Sequence, residues 1–145
     1  MGFGAGARLS VESTVNDSNR AHVERGLWDH AATLGIDTEE QIRLAIWLHD
    51  ANGNLVGGLV GGSLWSWLEI RMLWVDAAVR DQGHGTALLQ AAEATARARG
   101  CIGARLEAYD PAALRFYQRR GFGLVGTIPD YPPGHTRFIL VKRFG

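Results

Sequence analysis

The chain has 145 residues, of which 46% are apolar and 21% charged, a composition that suits one compact domain over residues 1–145. Fifteen basic residues balance fifteen acidic ones, so the basic excess that drives general nucleic-acid binding is missing. The single cysteine, Cys101, excludes an internal disulfide and cysteine-rich zinc sites. Because no signal-peptide pattern and no run of about 18 apolar residues occurs, we expect a cytoplasmic protein without membrane or nucleic-acid partners.

The N-terminal quarter predicts a frayed end, a strand and a helix. Met1–Ala7 is glycine-rich and expected to be disordered. Arg8–Ser13 alternates apolar and polar residues, as a short strand does. The following helix is capped by Asp17 or Ser18 and ends at Gly35.

The middle of the chain predicts a hairpin followed by a central strand. Gln41–His49 and Leu55–Ser66 have strand patterns, and the intervening Asn52-Gly53 pair favours a tight turn. Four glycines in the second strand would weaken it unless a bend or a close neighbour requires small residues. Leu68–Val75 then alternates apolar residues through Ile70, Met72 and Trp74, which predicts a strand paired with its predecessor.

Three tryptophans, Trp65, Trp67 and Trp74, cluster near the join of these strands. One interpretation is core filling, because tryptophan buries a large surface. The alternative is an aromatic wall that binds the acceptor of a reaction.

A loop with two glycines, Arg80-Asp81-Gln82-Gly83-His84-Gly85, lies between this strand and a helix. Glycines let the backbone approach a ligand closely, and the free N–H groups of the helix N-terminus attract anions, phosphate above all. The loop fits neither the phosphate P-loop nor the dinucleotide-binding pattern. A tight turn with nothing bound is therefore the alternative.

The second half predicts two strand–helix units and a final hairpin. An apolar stripe of Leu88, Leu89, Ala92 and Ala96 marks a helix that ends at Gly100. The next strand should lie parallel to Leu68–Val75, because a helix connects the two. The remaining predicted elements are a strand over Ile102–Tyr109, a helix over Pro111–Arg120, and strands over Phe122–Thr127 and Thr136–Lys142.

Two sequence blocks carry a family resemblance. Arg80–Thr86 has the pattern R-x-x-G-x-G-T, and Asp110–Phe122 reads DPAALRFYQRRGF, with 24 residues between Gly85 and Asp110. Both resemble blocks of the GCN5-related N-acetyltransferase (GNAT) superfamily, and the resemblance covers Leu55–Phe144. It implies an α/β (α+β) fold with a mixed, mostly antiparallel sheet of six to seven strands, helices on both faces, and a parallel strand pair splayed at an acetyl-CoA site.

The resemblance also implies which residues bind acetyl-CoA. Backbone groups of Leu73, Trp74 and Val75 would bind the pantetheine arm. Arg80 opens the pyrophosphate loop, whose N–H groups come from Asp81, Gln82, Gly83, His84, Gly85 and Thr86. Asp110 stands where the family has an asparagine, which puts that pantetheine contact in doubt. His84 would act through its backbone rather than as a catalytic base.

The implied chemistry is direct transfer of an acetyl group to a primary amine of a small molecule. Tyr117 matches the tyrosine that protonates the leaving thiolate, with an aromatic packing role as the alternative. An N–H of Trp74 or Val75 would stabilise the oxyanion. Glu69 is the first candidate for the general base. Glu107, Asp76 and His135 follow, and each could instead be a surface or ion-paired group.

Several assignments remain open at this stage. Tyr131 and His135 lie in a loop that borders the acceptor site in the family, so both are candidate substrate contacts. Arg115, Arg119 and Arg120 are interpreted as a solvated helix face. His22 and His30 have no other ligand type at metal spacing, and no metal site is predicted. Alternative functions are a protein or peptide N-acetyltransferase and a non-catalytic acyl-CoA-binding module, and a homodimer is a possible assembly.

Overall fold

A computed structural model describes residues 6–145, so residues 1–5 of the predicted disordered segment lie outside it. Two compact units divide the chain, one ending at Thr38 and the other covering Glu39–Gly145. The first contains helix α1, Asp17–Thr33. Its N-cap is Asn16, whose side chain accepts the N–H of Asn19 at 2.9 Å. The predicted cap, Asp17, is instead the first helical residue, where a negative charge interacts favourably with the helix dipole.

The strand predicted over Arg8–Ser13 is wrong, because this segment is irregular. The side chains of Leu9 and Val11 are 74% and 96% exposed, so their alternation buries no apolar face. Alternation over so few residues was insufficient evidence for a strand.

The second unit is built on a six-stranded sheet with the order β1-β2-β3-β4-β6-β5. Only β3 and β4 pair in parallel, and the other neighbours are antiparallel. The predicted fold class, a mixed and mostly antiparallel sheet with one parallel pair, is confirmed. The strands are β1 Ile42–His49, β2 Leu55–Leu64, β3 Trp67–Val75, β4 Gly103–Ala108, β5 Gly123–Pro129 and β6 Thr136–Arg143, and the helices are α2 His84–Ala98 and α3 Pro111–Arg119.

The glycines of β2 are explained by close neighbours. A Cβ atom on Gly61 would lie only 2.0 Å from the backbone oxygen of Glu69 on β3. This close approach occurs at a β-bulge, where Val60 pairs with Met72 but Gly61 pairs with Ile70, leaving Arg71 as the extra residue. The bulge in β3 therefore requires a glycine at position 61 of β2.

The bulge also changes which face of the sheet the β3 side chains occupy. Before it, Leu68 and Ile70 are buried in the core, whereas after it Leu73 and Val75 pack against that core. The prediction that Met72 and Trp74 continue the stripe of Leu68 and Ile70 is wrong. Their side chains are 63% and 50% exposed, because one extra residue inverts the alternation of a strand.

The core combines the inner face of the sheet with the apolar faces of α2 and α3. The predicted stripe on α2 is buried, and it packs with Leu59, Leu68, Leu106 and Leu140 from four strands. Cys101 belongs to the same core, and burial raises the pKa of its thiol, which suits a packing role. Within residues 6–145 no helix is long and apolar enough to cross a membrane.

The parallel strands separate as they run toward their carboxyl ends. Their pairing extends only from Trp67 opposite Gly103 to Ile70 opposite Leu106. Beyond it, β3 continues to Val75 and β4 to Ala108 without pairing to each other. The predicted splay is therefore present, and it leaves one edge of β3 free of a neighbouring strand.

Candidate active site

A cleft of about 560 Å³ opens where β3 and β4 separate. Eleven of the twelve residues predicted to bind acetyl-CoA line it, and only Gln82 does not. They are Leu73, Trp74, Val75, Arg80, Asp81, Gly83, His84, Gly85, Thr86, Asp110 and Tyr117. Val79, Ala112, Ala113, Phe116, Arg119 and Arg120 complete the lining.

The free edge of β3 supplies backbone groups to this cleft. The Asp76 N–H donates to the carbonyl of Val56 in β2 at 2.8 Å. Because peptide groups alternate sides along an antiparallel pair, those of Trp74 face β2, and those of Leu73 and Val75 face away from it. In agreement, the Val75 carbonyl accepts a hydrogen bond from Arg80 Nε at 2.9 Å. Of the two N–H groups considered for the oxyanion, that of Val75 faces the cleft.

The glycine loop presents the N-terminus of α2 to the same cleft. Asp81 and Gly83 have φ angles of 61° and 82°, which turn the chain sharply before the helix. Gly83 is the N-cap and offers no side chain to cap the first turn, so the first N–H groups of the helix stay open to a ligand. A Cβ on Gly85 would meet the Phe116 ring at 3.2 Å, so this glycine allows α3 to approach. Such a helix terminus is suited to an anion.

Arg120 is a cleft residue that the sequence interpretation missed. Its Nε donates to the Thr86 hydroxyl at 2.8 Å, a second guanidinium N–H donates to the same oxygen, and Nη1 donates to the Phe116 carbonyl at 3.0 Å. Its Cζ lies 3.8 Å above the Phe116 ring. The solvated helix face was thus the wrong interpretation for Arg120, whereas Arg119 is exposed as predicted and also lines the cleft. The spacing of four residues from Phe116 was the available signal.

Asp110 caps helix α3, because its Oδ1 accepts the Ala112 N–H at 2.9 Å. The carboxylate thereby satisfies one of the N–H groups that lack a partner within the first turn of the helix. Asp110 also lines both this cleft and a second cleft of about 480 Å³.

The second cleft lies beside the first and shares Tyr117 with it. Its lining comprises Ile70, Arg71, Met72, Leu73, Trp74, Arg80, Leu106, Glu107, Ala108, Tyr109, Asp110, Ala113 and Tyr117. The Tyr117 ring is 8% exposed and makes edge contacts with Phe116 and Phe122, at centroid distances of 5.2 and 5.7 Å. Burial raises the pKa of its phenol. Tyr117 lines both clefts, which makes its hydroxyl a candidate proton donor at their junction.

The carboxylates considered as general base differ in their surroundings. Both oxygens of Glu69 are ion-paired, one with Arg71 at 2.8 Å and the other with Arg105 at 3.1 Å, and Glu69 lines neither large cleft. Both oxygens of Glu107 are also ion-paired, one with Arg105 at 2.9 Å and the other with Arg137 at 3.8 Å, but Glu107 lines the second cleft. Asp76 accepts the Ala78 N–H at 2.9 Å as the cap of a short 3₁₀ turn. The geometry therefore favours Glu107 over Glu69.

The four residues considered for acceptor binding lie in two places. Trp65 and Trp67 stand at the start of β3, at the opposite end of the strand from Val75, and line neither cleft. Tyr131 stacks on Arg137, with Cζ 3.9 Å from the ring centroid, and Arg137 also lies 5.7 Å from the ring of Tyr109 in the second cleft. His135 closes the Tyr131 loop through backbone hydrogen bonds and lines neither cleft.

The fold agrees with comparisons to known proteins. The sequence profile of the acetyltransferase (GNAT) family matches residues 9–122 of this chain. The chain belongs to this family. As a GNAT protein it is an acyltransferase, and the predicted family and enzyme class are confirmed.

Relatives of this GNAT chain include two acetyltransferases. A blasticidin-S acetyltransferase of Streptomyces morookaense is 53% identical over 92 residues, which cover 63% of this chain and 68% of that protein. An acetyltransferase of Agrobacterium fabrum is 40% identical over 135 residues, covering 90% of this chain and 97% of that protein. The crystal structure of an Agrobacterium tumefaciens protein superposes with a TM-score of 0.82 at 31% identity, covering 95% and 100% of the two chains.

Proposed function

We propose that this GNAT enzyme transfers an acetyl group from acetyl-CoA to a primary amine of a small molecule. The observation that carries the proposal is Tyr117, a buried phenol shared by the cleft at the N-terminus of α2 and a second cleft beside it. The second cleft, at about 480 Å³, has the size of a small-molecule site. A relative named as a blasticidin-S acetyltransferase supports a small molecule over a protein.

The first cleft has the donors that acetyl-CoA requires. The open N–H groups at the start of α2, together with Arg80, Arg119 and Arg120, suit the phosphates. The backbone groups of Leu73, which face away from β2 on the unpaired edge of β3, suit the amides of the pantetheine arm, whereas the Val75 carbonyl is already bonded to Arg80. When bound, acetyl-CoA supplies an acetyl group activated as a thioester.

Three groups of the chain then serve the transfer. Glu107, directly or through a water molecule, takes the proton that the incoming amine must lose. The Val75 N–H donates a hydrogen bond to the carbonyl oxygen as negative charge develops on it. Tyr117 donates its proton to the departing sulfur, and the raised pKa of the phenol ensures that this proton is present at neutral pH.

The first test separates binding from catalysis. We expect acetyl-CoA at about a hundredfold excess over Kd to stabilise the protein by about 2.7 kcal/mol, a shift of a few degrees in Tm, whereas adenosine diphosphate has a smaller effect. An amine panel analysed by mass spectrometry should give an acetylated product. Tyr117→Phe should lower kcat about 100- to 10,000-fold while the shift with acetyl-CoA is retained.

Two results would contradict this proposal. Without a thermal shift at millimolar acetyl-CoA, the assignment of the first cleft fails. A normal shift without product from any amine would favour a non-catalytic acyl-CoA-binding module.

A further inference from the structure

Arg137 on β6 has a guanidinium group with unused donors. Its side chain is 19% exposed, and its Nε is buried without a hydrogen-bond partner within residues 6–145. Its one ionic contact joins Nη1 to Glu107 Oε1 at 3.8 Å, beyond hydrogen-bond distance. Tyr131 and Tyr109 lie against the planar group, at 3.9 and 5.7 Å. Stacking fixes the orientation of the guanidinium but satisfies none of its N–H donors.

Unlike Arg137, the neighbouring arginines donate hydrogen bonds to other side chains. Arg71 donates to Glu69 and Gln41, and Arg105 donates to Glu69 and Glu107. These three arginines and two glutamates leave an excess of one positive charge, and the open donors are those of Arg137. Because Nε is buried, a ligand in the adjoining cavity would meet the Nη groups of Arg137, which make no hydrogen bond within residues 6–145.

Arg137 also lies near the proposed acceptor site. Together with Glu69, Arg105 and other residues it lines a cavity of about 220 Å³. This cavity shares Ile70, Arg71, Leu106 and Glu107 with the second cleft, which reaches Tyr117. A ligand whose amine is directed to Glu107 and Tyr117 would occupy the second cleft. The lining of that cleft continues into the cavity that contains Arg137.

We propose that Arg137 binds a carboxylate of the acceptor, so that the acceptor is an amine that also carries a carboxylate. This inference rests on the proposed function and specifies its substrate class. A planar guanidinium presents two parallel N–H donors, which match the two oxygens of a carboxylate. Glu107 and Arg137 would then provide opposite charges for the two ends of a zwitterion.

The test uses matched pairs of amino acids and their primary amides as acceptors. With wild-type protein, we expect each amino acid to have a KM about 10- to 100-fold lower than its amide. Arg137→Gln should abolish this preference by raising the KM for the amino acid, while the KM for the amide and for acetyl-CoA stays within about twofold. Arg137→Lys, which keeps the charge but loses the paired donors, should give an intermediate value.

A matched control comes from the same strand. Arg143 also stacks on an aromatic ring, that of Trp67 at 5.7 Å, but lines none of the three cavities. Arg143→Gln should therefore keep the preference for the carboxylate. Equal use of acids and amides by the wild-type enzyme would overturn the inference, as would an equal rise in both KM values for Arg137→Gln.

A binding measurement keeps the inference testable if no acceptor is turned over. In the presence of CoA, the amino acids should raise the Tm of the wild-type protein more than their amides do, and Arg137→Gln should remove the difference. That result without product would contradict the proposed transfer but support the carboxylate site. If product forms but amino acids and their amides are used equally well, only the role of Arg137 is contradicted.

Discussion

The Nε of Arg120 lies 2.8 Å from the hydroxyl oxygen of Thr86, so a side chain after α3 is hydrogen-bonded to the first turn of α2. The same guanidinium stacks on Phe116, which in turn lies against Gly85. A positive charge is thereby held beside the open N–H groups of α2. Dipole and guanidinium together make this the most favourable position for an anion in the first cleft.

Replacing Arg120 tests this arrangement. We expect Arg120→Ala to raise the Kd for acetyl-CoA about 10- to 100-fold, because hydrogen bonds to charged groups contribute about 1.5–3 kcal/mol each. Binding is measured by calorimetry. Arg115→Ala on the same helix is the control, since Arg115 is exposed and lines none of the clefts, and its Kd should be unchanged. Equal Kd values for the two variants would contradict the role of Arg120.

The pH dependence of activity tests Tyr117. Because burial raises the pKa of this phenol above its ordinary value of about 10, the protonated form persists across the neutral and mildly alkaline range. The amine must lose a proton before it attacks, so kcat/KM should rise with pH and show no fall from Tyr117 below about pH 10. A fall centred below about pH 9 that disappears in Tyr117→Phe would show that the phenol ionises too early to be the acid.

The two glutamates can be distinguished by parallel substitutions. Glu107→Gln should lower kcat about 100-fold or more, since a positioned base contributes about 100- to 10,000-fold. Glu69→Gln serves as the comparison, because Glu69 is held by Arg71 and Arg105 outside the large clefts, and its kcat should fall less than about tenfold. Steady-state rates with saturating amine decide between them. A larger loss for Glu69→Gln would restore Glu69 as the base.

Gly61 allows a stability test that is independent of function. Gly61→Ala would place a Cβ 2.0 Å from the Glu69 carbonyl oxygen, and a backbone atom cannot move aside as a flexible side chain can. We expect a loss of at least about 3 kcal/mol in the free energy of unfolding, measured in urea. Gly123→Ala in β5 has its nearest neighbour at 3.9 Å and should change stability by less than about 1 kcal/mol. Equal losses would exclude the close approach at Gly61.

The sequence predicted the features that depend on local chemistry. The glycine loop, the helix α2 that follows it and the helix α3 that carries Tyr117 could be recognised because turn and capping residues act on their immediate neighbours. Arg120 was missed because its partner Thr86 is 34 residues away in the chain. Trp65 and Trp67 were considered for the acceptor site because they are close to Trp74 in sequence, yet an extended strand separates them from Trp74 and the clefts.

The extra residue, Arg71, moves the side-chain alternation of β3 by one position, so the residues after it face the opposite side of the sheet from that expected. It lets one strand contribute Leu68 and Ile70 to the core at one end and Leu73 and Val75 at the other, while Met72 and Trp74 are directed outward. Deleting one residue between Ile70 and Leu73 would restore the simple alternation and reverse every later side chain up to Val75. This segment should therefore tolerate many substitutions but no change in length, because its geometry depends on the number of residues more than on their identity.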